Sequence, residues 1–290
     1  MSQFHLKGFL TSLTMVAGLA TVSAQAESQS RIVTVGGAAT EIVFALGAGD
    51  QVVAVDLSST YPAEVHELPS VGYIRNISPE GVLSMRPDLV VTTESLGPPA
   101  AKKMLKQMSV PIIWCPEPNT VEALETGLRE VGAKLGESAR AETIINEVKA
   151  SIAETQATSE NWAKRPTVVF FLAPPSASGA GRAGGKGTRS SELIHLAGGK
   201  NAVDDFENFQ PMSIESLIQV NPDVIFVGVS DSHGASPQSV EAMKKLPGLA
   251  GVTAVRTGAV YGVPMDDLSF GPRLGEAVNR WHAHLAESAK

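Results

Sequence analysis

The sequence predicts an α/β protein of two similar lobes, each built on a central, mostly parallel sheet. A single long helix joins the lobes, and a ligand cleft lies between them. Three observations predict this. Short apolar runs alternate with helical patterns along the chain, the signature of βα units around parallel strands. A long, charged, glycine-poor tract over 120–162 interrupts the alternation. After it the plan restarts, repeating residues as well as pattern.

The first 26 residues read as a leader rather than as part of the fold. Lys7 supplies the positive charge, 8–19 is uncharged and apolar, and Ala24-Gln25-Ala26 gives a small-x-small cleavage site near Ala26. Thr11, Ser12 and Thr14 interrupt a run too short to span a bilayer comfortably. No cysteine follows it for acylation, so the expected mature chain is exported without stable membrane insertion. Removing Lys7 with this leader, which holds no Asp or Glu, takes the formal charge from -7 to -8. That acidity argues against a nucleic-acid partner. About 264 residues remain, enough for two lobes with separate cores. The single cysteine, Cys115, lies in an apolar run and excludes an internal disulfide framework.

In order, 31–35 is a first strand and 39–46 a helix ended by Gly47. Strands follow at 52–55 and 89–92, with a short helix at 79–85 between them. A helix over 100–107 leads into the strand around Trp114. The tract over 120–135 and 139–162 is helical, broken only near Gly136. A strand over 167–172, a glycine-rich loop and a helix over 191–196 open the second half. A short helix at 214–220, strands at 224–227 and 259–263, and a helix over 275–286 complete it. The expected units are therefore a leader over 1–26, an N-terminal lobe over 27–137, a connecting helix over 138–165 and a C-terminal lobe over 166–290.

The restart is explicit. Ser78-Pro79-Glu80-Gly81-Val82-Leu83 through Pro87-Asp88-Leu89-Val90 lines up with Ser213-Ile214-Glu215-Ser216-Leu217-Ile218 through Pro222-Asp223-Val224-Ile225. Each copy has a helix-capping serine, a glutamate in the first turn and a Pro-Asp turn before a buried strand. A cleft between two such lobes is where a pocket forms.

The leader, the opening 31–37, Tyr61-Pro62 and the doubled glutamate segment together resemble the helical-backbone binding proteins of cobalamin, iron-siderophore and haem ABC importers. The resemblance covers essentially the whole mature chain. It implies two Rossmann-like lobes. Within that group, Val71-Gly72-Tyr73-Ile74-Arg75-Asn76-Ile77-Ser78 and Asp266-Asp267-Leu268-Ser269-Phe270-Gly271-Pro272-Arg273 are similar to the haem-binding branch. The resemblance implies a periplasmic carrier that captures ferric haem, with Tyr73 as iron ligand and Arg75 as a basic neighbour of the phenolate. It also implies that Glu80 and Glu215 dock onto arginines of a permease dimer, downstream of an outer-membrane haem receptor. Some relatives add a histidine from the second lobe or stack two haems, but the glycine-rich loop here has no histidine.

The chemistry is consistent with this. A phenolate is a hard anionic donor suited to ferric iron and a recognised haem ligand. A phenol of pKa roughly 10 binds as phenolate only where cations stabilise that charge. Haem propionates need cations too, and Arg182, Lys186 and Arg189 lie in the glycine-rich segment before a helix start. Each taken singly also fits a solvated loop. Arg273 either faces the cleft or caps the last helix, and His233 follows the strand over 224–227, a position from which it can face the cleft. Other readings stay open: a ferric siderophore or cobalamin as cargo, or a haem sensor or scavenger with no permease. An enzyme is not expected, because no nucleophile elbow, Ser/His/Asp set or His-Glu-x-x-His sequence is present.

Overall fold

The computed structural model describes Met1 and residues 30–177, 179–230 and 235–289. The expected leader and His233 lie outside the described residues. The N-terminal lobe carries a parallel sheet in the order β2-β1-β5-β6, formed by β1 (Ile32–Val35), β2 (Val52–Ala54), β5 (Leu89–Thr93) and β6 (Ile112–Cys115). Between β2 and β5 the chain makes a small hairpin of β3 (Gly72–Tyr73) and β4 (Asn76–Ile77). The helices of this lobe are α1 (Gly37–Ala45), α2 (Pro79–Ser84), α3 (Pro99–Lys106) and α4 (Val121–Leu135). All of β1 and β5 is buried, as the near-continuous β-branched runs of a sheet covered on both faces require.

Helix α5 (Ser138–Ser159) leaves α4 through Gly136, whose left-handed φ of 78° ends the earlier helix. At 1.5 Å per residue it is about 33 Å long. Its buried stripe, Ala141, Ile145, Val148 and Ile152, follows helical spacing. The second lobe has β7 (Thr167–Ala173), β8 (Gly181–Gly184), β9 (Lys200–Asn201), β10 (Phe209–Met212), β11 (Val224–Val229) and β12 (Val260–Pro264). With it go α6 (Arg189–Leu196), α7 (Ile214–Val220), α8 (Pro237–Lys244), α9 (Thr253–Thr257) and α10 (Leu274–Ser288). β7, β11 and β12 are parallel, whereas β8 and β10 add antiparallel to the other edge.

One continuous core joins the lobes. Ile42 of α1, Leu128 of α4, Ile145 and Val148 of α5, Phe170 of β7 and Trp281 of α10 belong to the same buried cluster. Each lobe also has a core of its own on the far side of its sheet. The shared spine couples the lobes through packed side chains, which limits hinge motion more than an extended linker would.

The doubled segment is built the same way twice. Ser78 accepts from the Gly81 N–H at 3.1 Å and Ser213 from the Ser216 N–H at 3.2 Å. The residue before each proline is left-handed, Arg86 at φ 50° and Asn221 at φ 45°. Asp88 then accepts from the Arg31 N–H at 3.0 Å, and Asp223 from the Thr167 N–H at 2.8 Å. Each aspartate thereby ties its helix-to-strand turn to the start of the first strand of its lobe.

The glycine-rich stretch departs from the flexible loop expected of its composition. Its middle is β8, and three of its glycines permit close approach: a Cβ at Gly181 would stand 2.7 Å from Pro175, one at Gly184 2.4 Å from the Ser190 hydroxyl, and one at Gly185 2.4 Å from Phe206, whereas Gly179 and Gly187 face open space. Those three are packing positions rather than hinges.

Candidate functional site

A cleft of about 710 Å³ lies between the lobes, within the usual range for small-molecule sites. Gly36, Thr93 and Glu117 reach it from the ends of β1, β5 and β6, and Leu172, Ser230 and Met265 from those of β7, β11 and β12. The carboxyl ends of both parallel sheets thus face one another across it, the position where open α/β sheets bind ligands.

Tyr73 stands at the tip of the β3–β4 hairpin. Alternation across the hairpin buries Ile74 and Ile77 in the N-terminal core and leaves Tyr73 and Arg75 exposed, both lining the cleft. Three sets of hydrogen bonds hold the hairpin. Gly97 donates to the Ile74 carbonyl at 2.8 Å and accepts from the Ile77 N–H at 2.9 Å. Leu57 donates to the Gly72 carbonyl at 2.7 Å. The third set converges on Asp56, a carboxylate 1 % exposed. It accepts from the N–H groups of Gly36 at 2.7 Å, Ser58 at 2.9 Å and Ile74 at 3.1 Å, and from the hydroxyls of Ser58 and Ser59. Such a saturated donor set is what a buried polar side chain requires. Asp56 therefore fixes the β1–α1 turn, the end of β2 and the Tyr73 hairpin relative to one another.

Of the cations in the glycine-rich segment, Arg189 lines the cleft, while Arg182 and Lys186 are exposed and are not among the described residues that line it. Arg182 lies within β8, between β10 and β7. Arg189 pairs with Glu117 of the other lobe at 2.8 Å and donates to the Leu268 carbonyl at 3.0 Å. Burial raises the Glu117 carboxyl, but hydrogen bonds from Ser95 and Arg189 and the charges of Arg189 and Arg75 outweigh it and hold it below the ordinary carboxylate value.

Arg273 does not line the cleft. It grips Glu41 with two hydrogen bonds of 3.0 Å and lies 3.7 Å from the centre of the Tyr61 ring. Glu41 is 3 % exposed, and burial holds its carboxyl above the ordinary 4.5 despite Arg273. A carboxyl raised in this way binds more protons folded than unfolded, so stability falls as pH rises from about 4.5 through its folded value. Arg273→Ala removes the charge that opposes this. The expected loss is about 3 kcal/mol near neutral pH, shrinking as pH falls and Glu41 takes up a proton. Denaturant unfolding of both chains across pH 5 to 8 checks it.

Glu80 and Glu215 are fully exposed in the first turns of α2 and α7. Their own backbone N–H groups and the capping serines hold both carboxyls below the ordinary value, so both are charged at neutral pH.

A family model for periplasmic binding proteins matches residues 32–266. The chain belongs to the periplasmic binding protein family. The periplasmic heme-binding protein RhuT from Roseiflexus sp. RS-1, in its apo form, is 33% identical with a TM-score of 0.80, covering 90% of this chain and 100% of that one. The uncharacterized ABC transporter substrate-binding lipoprotein YvrC of Bacillus subtilis is 30% identical, covering 86% of this chain and 76% of YvrC. The vitamin B12-binding protein of Pectobacterium carotovorum is 26% identical over 78% of this chain and 81% of its own length.

For a periplasmic binding protein the cleft is the functional centre, and sequence reasoning misses two acids that line it, Glu41 and Glu117, and one buried behind it, Asp56. Asp56 and Glu117 each follow a strand end, where ligand sites gather, and Glu41 is a lone acid in an apolar helix. Position relative to the strands was the available signal for the first two. Among the described residues no group of three or more His, Cys, Asp or Glu could hold a bare metal ion. No described helix is long and apolar enough to cross a membrane.

Proposed function

We propose that this chain is the substrate-binding protein of an ABC importer, exported to the periplasm with cleavage near Ala26, and that its cargo is ferric haem. The observation that carries the reading is the placement of Tyr73: an exposed phenol on an anchored hairpin tip, facing an interlobe cleft, with Arg75 on the same side of the turn. Tyr73 supplies the phenolate to the iron, Arg75 stabilises its charge, and Arg189 receives a propionate. Arg182, Lys186, His233 and Arg273 are supporting residues of the haem site on the same reading, Arg273 acting through Glu41. The cleft holds cargo and transforms nothing. Glu80 and Glu215 dock onto a permease dimer, and an outer-membrane receptor pathway supplies the haem upstream.

The relatives named for vitamin B12 favour a corrinoid cargo on the same fold. Corrinoid side chains are largely neutral amides, whereas haem presents two carboxylates, and the cleft offers Arg75 and Arg189. Titration of the mature chain with ferric haem tests the proposal: it is expected to give a high-spin tyrosinate absorption spectrum with saturable binding. A spectrum of unligated haem at saturating protein refutes it.

The Arg189–Glu117 pair supplies a second test. Glu117 competes with a propionate for Arg189 and repels it. Glu117→Gln is therefore expected to tighten haem binding by about threefold, the scale of a part-exposed ion pair. Haem dimethyl ester, which lacks the carboxylates, should show no gain in parallel fluorescence-quenching titrations.

A further inference from the structure

Large exposed apolar side chains are few among the described residues, and two of them occupy matching positions. Leu83 on α2 is 37% exposed and Ile218 on α7 is 44% exposed. Each lies three residues after its glutamate, Leu83 after Glu80 and Ile218 after Glu215, in the two copies of the repeated segment. On a helix that spacing places acid and aliphatic on neighbouring positions of one face. The intervening Val82 and Leu217 are buried, so each helix is anchored by one apolar residue while it presents another to solvent.

The two helices also start from equivalent places. Ser78 directly follows β4, whose hairpin carries Tyr73, and Ser213 directly follows β10, whose Phe209 lines the cleft. Both first turns thus continue directly from elements that line the cleft.

We infer that Leu83 and Ile218 are apolar anchors of the permease-docking surface, each forming with its glutamate a composite knob. This rests on the docking reading of Glu80 and Glu215 and extends it. The partner it fits is a two-fold dimer in which each protomer offers a cation beside an apolar socket, because a duplicated knob on one chain matches a duplicated site on the other. Charge supplies orientation and encounter rate, and the aliphatics supply the desolvated contact in which binding energy concentrates. What singles these two out is not exposure alone but their equivalent placement beside a glutamate in both copies of the segment.

The test measures binding of the haem-loaded mature chain to its permease–ATPase complex in lipid nanodiscs. Three variants are compared: Leu83→Asn with Ile218→Asn, Glu80→Ala with Glu215→Ala, and Met104→Asn. Met104 is 45% exposed and lies on α3, outside the repeated glutamate segment. The aliphatic double variant is expected to bind about tenfold or more weakly, a change of about 1.4 kcal/mol, with haem spectrum and unfolding midpoint unchanged. Met104→Asn is expected to bind as the unaltered chain does. Unaltered binding by the aliphatic variant, when the glutamate variant is weakened, overturns this inference and leaves the docking reading standing. Unaltered binding by both overturns the docking reading as well. An equal loss in Met104→Asn, or the same loss on protein-free nanodiscs, also overturns it, since general apolar exposure or lipid contact then accounts for the effect.

Discussion

Tyr73→Ala is expected to weaken ferric haem binding by roughly 100-fold or more and to abolish the tyrosinate absorption bands. The magnitude follows from what is removed: partners that merely orient a ligand are worth about 10–100-fold, and Tyr73 is proposed to be the ligand itself. The fold should be indifferent. Tyr73 is 41% exposed, and the hairpin is held by backbone hydrogen bonds at Ile74, Gly72 and Ile77, none of which needs the phenol. An unfolding midpoint within a degree or two of the unaltered chain is therefore part of the prediction. Tyr73→Phe separates the oxygen from the ring: it keeps the apolar contact with the macrocycle and should lose the same bands. Absorption titration of the three chains side by side reads both effects.

Asp56→Ala is expected to damage fold and site together. It leaves the N–H groups of Gly36, Ser58 and Ile74 without their acceptor, and a buried donor stripped of its partner costs about 1–3 kcal/mol. Three of them set a loss on the order of 4 kcal/mol or more, readable by denaturant unfolding. Because the Ile74 N–H is the direct tie between Asp56 and the hairpin tip, haem affinity should fall by about 10–100-fold although no haem contact is touched. Asp56→Asn keeps the shape but has one carbonyl oxygen for five donors and turns an NH₂ toward others, so an intermediate loss in both measurements is expected. A full loss of stability with unchanged haem affinity would confine Asp56 to a structural role.

Much of the fold was legible because the sequence repeats itself. Ser78 and Ser213 announce helix starts, and Pro87-Asp88 and Pro222-Asp223 announce the strands that follow, and the structure builds the two turns alike. The left-handed conformation of Arg86 was not legible, because arginine carries no preference for it and only the shared geometry with Asn221 discloses it. Composition makes 179–189 a loop, because it cannot distinguish glycine kept for freedom, as at Gly187, from glycine kept for close packing at Gly181, Gly184 and Gly185 against Pro175, Ser190 and Phe206. Tyr73 and Arg75 were singled out through resemblance, and local alternation then explains how the hairpin presents them. Asp56 escaped notice because its donors lie at Gly36 and Ile74 as well as at its immediate neighbours, and distant backbone N–H groups leave no trace in a residue pattern. For Arg273 and Arg189 charge was legible and partner was not: Glu41 and Glu117 meet them only across the two lobes.

On the proposed reading this cleft carries ferric haem rather than a corrinoid. Calorimetric titration of the mature chain with ferric haem and, separately, with cyanocobalamin tests it most directly. Haem is expected to bind saturably and at least about 100-fold tighter than cyanocobalamin, a difference of about 2.7 kcal/mol. Tight cyanocobalamin binding with no saturable haem isotherm would contradict it.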